Sequence, residues 1–127
     1  MQLAIAGRNA SVDAVNTLLN GGTVEIRTGA AAAVDSAPTG TVLATLSINA
    51  TAFGAASSGS ATANVIAAVT ASATGTAGHY VAKDSGGNVE RNGTAGTSGT
   101  DMILNNTSFT VGDDVEITSW TYGQATS

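Results

Sequence analysis

The chain has 127 residues, four Lys and Arg against nine Asp and Glu, a formal net charge of -5 and a pI near 4.3. That length suits one domain, and four scattered cations (Arg8, Arg27, Lys83, Arg91) cannot line a groove that tracks a phosphate backbone, so no nucleic-acid partner is expected. The absence of cysteine excludes a disulfide framework and a thiolate metal site.

Hydrophobic residues make up 43% of the chain, but many are alanine, and aromatics are only 4%. Alanine buries little area, so the core must rest on Val, Ile and Leu, helped by β ladders or by neighbouring chains. Charged residues are 10%, against roughly 25% in typical soluble domains, and Thr, Ser, Asn and Gly take their place. Met1–Ala6 is too short and lacks the basic residues of a secretory leader, and no apolar run approaches the ~18 residues of a membrane span. No membrane partner is expected.

In chain order, Leu3-Ala4-Ile5 reads as a short strand or arm. A short helix follows, capped by Asn9 or Ser11, with Asp13 in its first turn and an apolar stripe of Val12, Val15, Leu18 and Leu19. Asn20-Gly21-Gly22 stops it, with Gly21 in the left-handed region. The period then changes to two. Thr23–Thr28 alternates as a half-buried strand, residues 29–40 form a loop around the only proline, and Thr41–Asn49 is a strand with Val42, Ala44, Leu46 and Ile48 on one face. Phe53-Gly54 ends that stretch at a bend.

Residues 55–74 are rich in Ala, Ser and Thr without a helical stripe, and Ala61–Val69 is read as strand. A hairpin comes next: Thr76–Lys83, a turn at Asp84–Asn88, then Val89–Asn92. Gly-Thr-Ala-Gly flanks it at 75–78 and 93–96, which reflects biased composition or matched sheet geometry. Met102–Leu104 and Ser108–Thr110 are short strands, 111–114 turns, and Val115–Tyr122 is the last strand. In that strand Val115 and Ile117 take one face, and Glu116, Thr118, Trp120 and Tyr122 the other. The fold class expected is mostly β: a β-sandwich or jelly-roll-like domain of short antiparallel strands with one short N-terminal helix. Residues 1–22 supply the arm and helix, and 23–127 the sandwich.

No constellation for catalysis emerges, and no catalytic, cofactor or metal-ligating residue is assigned. His79 is the lone histidine and reads as a surface or half-buried strand residue. Asp84-Ser85-Gly86 has the letters of an aspartic-protease triplet, but its neighbours Lys83, Gly87 and Asn88 spell a turn. Gly93–Gly99 lacks the Gly-Lys-Ser/Thr of a phosphate loop. Asp113, Asp114 and Glu116 fit no calcium-loop spacing. Asn-x-Ser/Thr triplets at 9, 49, 92, 105 and 106 follow from composition. Trp120 and Tyr122 are more informative. Opposite a core face made by Val115 and Ile117 they point outward, and with Tyr80 they are the candidate protein interface. The competing reading covers that face with the helix or another sheet.

The segments Gly22–Gly29, Ala50–Ala56, Gly75–Tyr80, Lys83–Gly87, Gly93–Asp101 and Val115–Thr121, taken in order, resemble a group of small tailed-bacteriophage virion proteins. The resemblance covers nearly the whole chain and implies a capsid decoration, or cement, protein. It would be bound to the major capsid protein and to copies of itself as a dimer or trimer, on the capsid surface of a virion assembled in the host cytoplasm. Repeated weak contacts on a symmetric shell can replace one tight interface. A tail or head–tail connector protein is the alternative within the virion. A carbohydrate or host-surface binding module, with Tyr80, Trp120 and Tyr122 as a stacking platform, is the alternative of another class.

Overall fold

A computed structural model of the chain describes residues 2–123. It contains one helix, α1 (Ile5–Thr17), and ten strands: β1 (Thr23–Thr28), β2 (Val42–Ser47), β3 (Ser60–Thr62), β4 (Val69–Thr70), β5 (Gly75–Lys83), β6 (Val89–Gly96), β7 (Met102–Leu104), β8 (Ser108–Phe109), β9 (Asp114–Val115) and β10 (Ile117–Gly123). The domain is mostly β, as expected. Seven strands run in the order β2-β1-β5-β6-β7-β10-β3, β8 adds to β5, and β4 pairs with β9. All these pairs are antiparallel except β6–β7. The sheet curls around a core in which Trp120, Phe109, Leu19, Ile26, Leu43, Leu46 and Met102 are fully buried.

The helix starts earlier than its capping residues suggest. Ala4 precedes it in an extended conformation and makes no side-chain cap, so Leu3-Ala4-Ile5 is helix entry, not a strand or arm. Four alanines between residues 4 and 14 favour helix strongly enough to carry it through Asn9. Asn9 and Asp13 therefore lie inside the helix, and their oxygens serve another purpose. Asn9 Oδ1 accepts from the Gly59 N–H, Asp13 Oδ1 from Ala56, and Asn20 Oδ1, just past the helix, from Ala52, each at 2.8 Å. At steps of four, three and four, Asn9, Asp13, Asn16 and Asn20 form one polar stripe. Asn9, Asp13 and Asn20 of that stripe clamp the helix to segment 52–59, while Val12 and Leu19 enter the core and Leu18 stays half exposed. Gly21 takes φ 70° as predicted and ends the run.

The sheet keeps most of the expected strands. The central hairpin β5–β6 turns at Asp84, whose Oδ1 accepts from the N–H groups of Gly86 and Asn88 at 2.9 Å. This is turn chemistry, as the sequence indicates. Both Gly-Thr-Ala-Gly copies fall within the strands of this hairpin, at the start of β5 and the end of β6.

Two strands differ from expectation. Ala61–Val69 is not continuous: β3 and β4 are separate, and between them Asn64 bonds Ala52 and Thr51, so the chain turns away and leaves Val65 86% exposed. The last strand breaks at Glu116, with β9 on β4 and β10 on β7 and β3, and the register against β7 shifts between Ile117 and Ser119. An extra residue at such a bulge reverses which side chains face inward.

The outer face of β1, β5 and β6 is covered by loop 29–40. Asn92 Nδ2 donates to Ala32 O at 2.8 Å, and Arg27 Nη1 reaches Thr39 O and Gly40 O. The cover is tight: a Cβ on Gly78 would stand 2.2 Å from Gly29 O. His79 is accordingly fully buried, not at the surface or half-buried, and its Nδ1 lies 2.9 Å from the Gly29 carbonyl. That contact makes Nδ1 the protonated nitrogen and leaves Nε2 without a partner.

Candidate functional site

The candidate interface residues separate in the fold. The outward expectation for Trp120 is corrected: the register shift turns its indole into the core, where it is 1% exposed. Tyr80, on β5, is 4% exposed, and its ring meets Trp120 edge-on with centroids 5.2 Å apart. Phe53 does the same at 4.9 Å. Such edge-to-face pairs contribute about 0.5–1.5 kcal/mol each beyond burial. Tyr122 alone of the three is half-buried. Tyr80 and Tyr122 both line one cleft, and Trp120 packs behind Tyr80.

The residue that sequence reasoning missed is Arg91. It stands on β6, is 7% exposed, and its guanidinium carbon sits 4.2 Å from the Tyr122 ring centroid, 5.3 Å from Phe53 and 5.7 Å from Trp120. The cation is held by aromatic faces, with no carboxylate in ion-pair contact among the described residues. Nη2 donates to Asn16 Oδ1 at 2.7 Å, which ties the helix to the sheet, while Nε and Nη1 have no acceptor. Burial, partly opposed by Tyr80, Tyr122 and Glu90, lowers the pKa of Arg91. Burial raises the Tyr80 phenol above its ordinary 10.0, partly opposed by the Trp120 indole and by Arg91. A scattered arginine in a strand sequence carries no mark of such burial; the only clue was that β6 alternates as Val89, Arg91, Gly93.

The cleft, of about 250 Å³, is lined by Tyr80, Arg91, Asn92, Asp101, Tyr122 and neighbours on β10. Asp101 is exposed at its mouth, with Oδ2 accepting the Thr94 N–H at 3.1 Å and its own N–H donated to Thr94 Oγ1 at 3.0 Å. Among the described residues no group of three or more His, Cys, Asp or Glu side chains could hold a metal, and no helix is long and apolar enough to cross a membrane.

Elsewhere the charges sort by sign. Arg27 and Lys83 both bond Glu25, at 2.8 and 3.1 Å, Arg91 is buried, and Arg8 is half-buried against Leu3 O. Among the described residues the exposed charged side chains are Asp13, Asp35, Asp101, Asp113, Asp114 and Glu116, all acidic. Leu18 and Val65 are exposed, and Asn49 links the turn after α1 to Val65: its carbonyl accepts from Gly21 and its amide donates to Val65 O.

No protein-family model, curated protein or solved structure matches the chain.

Proposed function

We propose that the chain is a structural, non-catalytic virion protein that attaches to the outside of a phage capsid and stiffens it, contacting the major capsid protein and further copies of itself. The resemblance in the order of its turn and strand motifs supports the virion assignment. The observation that carries the reading is the sorting of charge: among the described residues the exposed charged side chains are carboxylates, while the cations are paired, half-buried or buried. A surface of one sign steers toward a partner of the other sign. Exposed Leu18 and Val65 add apolar side chains that an interface can cover.

The test is the composition of purified particles. A copy number comparable to that of the capsid protein is expected, with purified chain rebinding stripped heads and Leu18→Asp or Val65→Asp weakening the rebinding. A handful to tens of copies per particle would move the protein to the tail or connector. Absence from particles would overturn the virion reading altogether.

A further inference from the structure

We infer that the cleft between β6 and β10 is an open strand position in the sheet, and that it receives a short extended segment of a partner chain carrying lysine or arginine. The inference stands on sheet geometry and is independent of the capsid reading, which particle composition tests and peptide titration does not.

The sheet order places this position. β7 lies between β6 and β10, but it is only 3 residues long and pairs with β6 at Ala95 and Gly96 alone. β6 begins well before that, at Val89, and β10 continues past Trp120, the partner of Met102, to Gly123. Ahead of β7 the two strands border the cleft of about 250 Å³, with Arg91 and Asn92 on one side and Thr121, Tyr122 and Gly123 on the other. Backbone groups of both strands turn toward it. Thr94 N–H leaves β6 on the side away from β5, since it is bonded to Asp101 Oδ2, and by the two-residue period the N–H and C=O of Asn92 leave on the same side. Across the cleft the Trp120 carbonyl accepts from Ala63 on the β3 side, so the Thr121 carbonyl and the Gly123 N–H point the other way. Among the described residues none of these groups has a partner. The outer edges of the sheet are treated differently: on β2 the Leu43 carbonyl accepts from Ser72, and on β3 the Thr62 carbonyl accepts from Gly54. An unpaired strand edge is where an extended peptide adds to a sheet, with main-chain hydrogen bonds supplying the affinity.

Topology sets the direction of the segment and charge its composition. Continuing the line of β7, it runs parallel to β6 and antiparallel to β10, as β7 does. Alongside Glu90–Gly93 there is room for about four residues, roughly 13 Å of extended chain. The exposed charge lining the cleft is Asp101, and only its Oδ2 is engaged, so Oδ1 is left to an incoming ammonium or guanidinium. Arg91, the other charged group there, is 7% exposed and stacked on the Tyr122 ring. The remaining exposed charges among the described residues are acidic too, so an acidic segment is repelled on approach and a basic one is steered in. A second copy of this chain does not supply such a segment. Its Arg27 and Lys83 are tied to Glu25, Arg8 is half-buried and Arg91 is buried.

The full chain, isotope-labelled for amide spectra, is titrated with short blocked peptides in which valine alternates with lysine. Two comparators are used: the same peptides with glutamate in place of lysine, and the lysine peptides N-methylated at alternate backbone nitrogens. The lysine peptides should give saturable amide shifts centred on Asn92, Asp101, Thr121 and Gly123, and slower hydrogen exchange at Asn92 and Gly123. N-methylation removes the main-chain donors and should weaken binding about ten-fold, and the glutamate peptides should bind more weakly still. Asp101→Asn keeps an oxygen for the Thr94 N–H and should weaken the lysine peptides about three-fold, as loss of an exposed ion pair does. The peptide comparisons need no variant, so they decide the question even where Asp101→Asn disturbs the fold. No saturable binding, binding indifferent to N-methylation, or glutamate peptides that bind as well as lysine ones would each overturn the inference. So would protection of Asn92 that rises with protein concentration in the absence of peptide, which would give the position to a second copy.

Discussion

At the scale of single residues, Trp120 and Tyr122 stand two positions apart on one strand and do different work. Trp120 is enclosed by Phe53, Tyr80 and Arg91, so its removal leaves a large void that rigid neighbouring strands cannot collapse to fill. Trp120→Ala should cost about 3–5 kcal/mol, while Tyr122→Ala, at a half-buried rim, should cost about 1 kcal/mol. Denaturant unfolding of the two variants checks this, and equal costs would contradict the placement. The pair was visible in sequence as the aromatic feature of the last strand. Its orientation was not, because period-two counting assumes an unbroken ladder, and the shift between Ile117 and Ser119 breaks it. Arg91 shows the same limit from another direction: nothing local distinguishes an arginine that snorkels to water from one stacked under three rings.

At the scale of elements, the helix teaches how polar residues can carry docking. An apolar stripe of Val12, Val15, Leu18 and Leu19 is only partly realised, since Leu18 remains 52% exposed. Attachment is shared with Asn9, Asp13 and Asn20, which satisfy the N–H groups of Gly59, Ala56 and Ala52 in a segment without regular ladder partners. Each such bond contributes about 1 kcal/mol, more where the acceptor is charged. Replacing both Asn9 and Asp13 by Ala should therefore destabilise by about 2–3 kcal/mol. It should also speed hydrogen exchange at Ala56 and Gly59 before the β5–β6 hairpin opens. Exchange that rises uniformly across the chain would show that the helix is not a separable clamp. Asn and Asp near a helix start normally suggest caps, and only the position of segment 52–59 shows what they bind instead.

At the scale of the whole molecule, charge placement couples stability to pH. For Glu25, burial raises the pKa, but the hydrogen bonds and charges of Arg27 and Lys83 outweigh it and leave the carboxyl below its ordinary 4.5. Asp84 is held below 3.8, chiefly by the Asn88 backbone N–H. Both carboxylates bind protons less readily folded than unfolded, so the stability they contribute is present above about pH 4.5 and is lost as pH falls through their folded values. Glu90, raised by desolvation and by Asp84 beside it, acts in the opposite sense: its contribution is present below 4.5 and lost as pH rises through its folded value. The thermal midpoint should fall between pH 5 and pH 3, and Glu25→Gln should flatten that fall while lowering the midpoint at pH 7. A midpoint unchanged down to pH 3 would contradict the role given to the Glu25 network.

The sequence alone determined the mostly β class, the hairpin that turns at Asp84, the loop over 29–40 and the stop at Gly21. These depend on neighbours within a few residues: alternation, turn-forming side chains and a left-handed glycine. Tertiary structure decided the inward turn of Trp120, the burial of Arg91 and His79, and the polar docking of the helix. Each depends on a partner far along the chain, such as β7 across from β10, Asn16 across from Arg91, or Gly29 against His79. Local period carries no information about which distant strand will slip by one residue or which loop will close over a face. The cleft at Arg91 exists because of those choices, as does a surface on which, among the described residues, the exposed charged side chains are carboxylates.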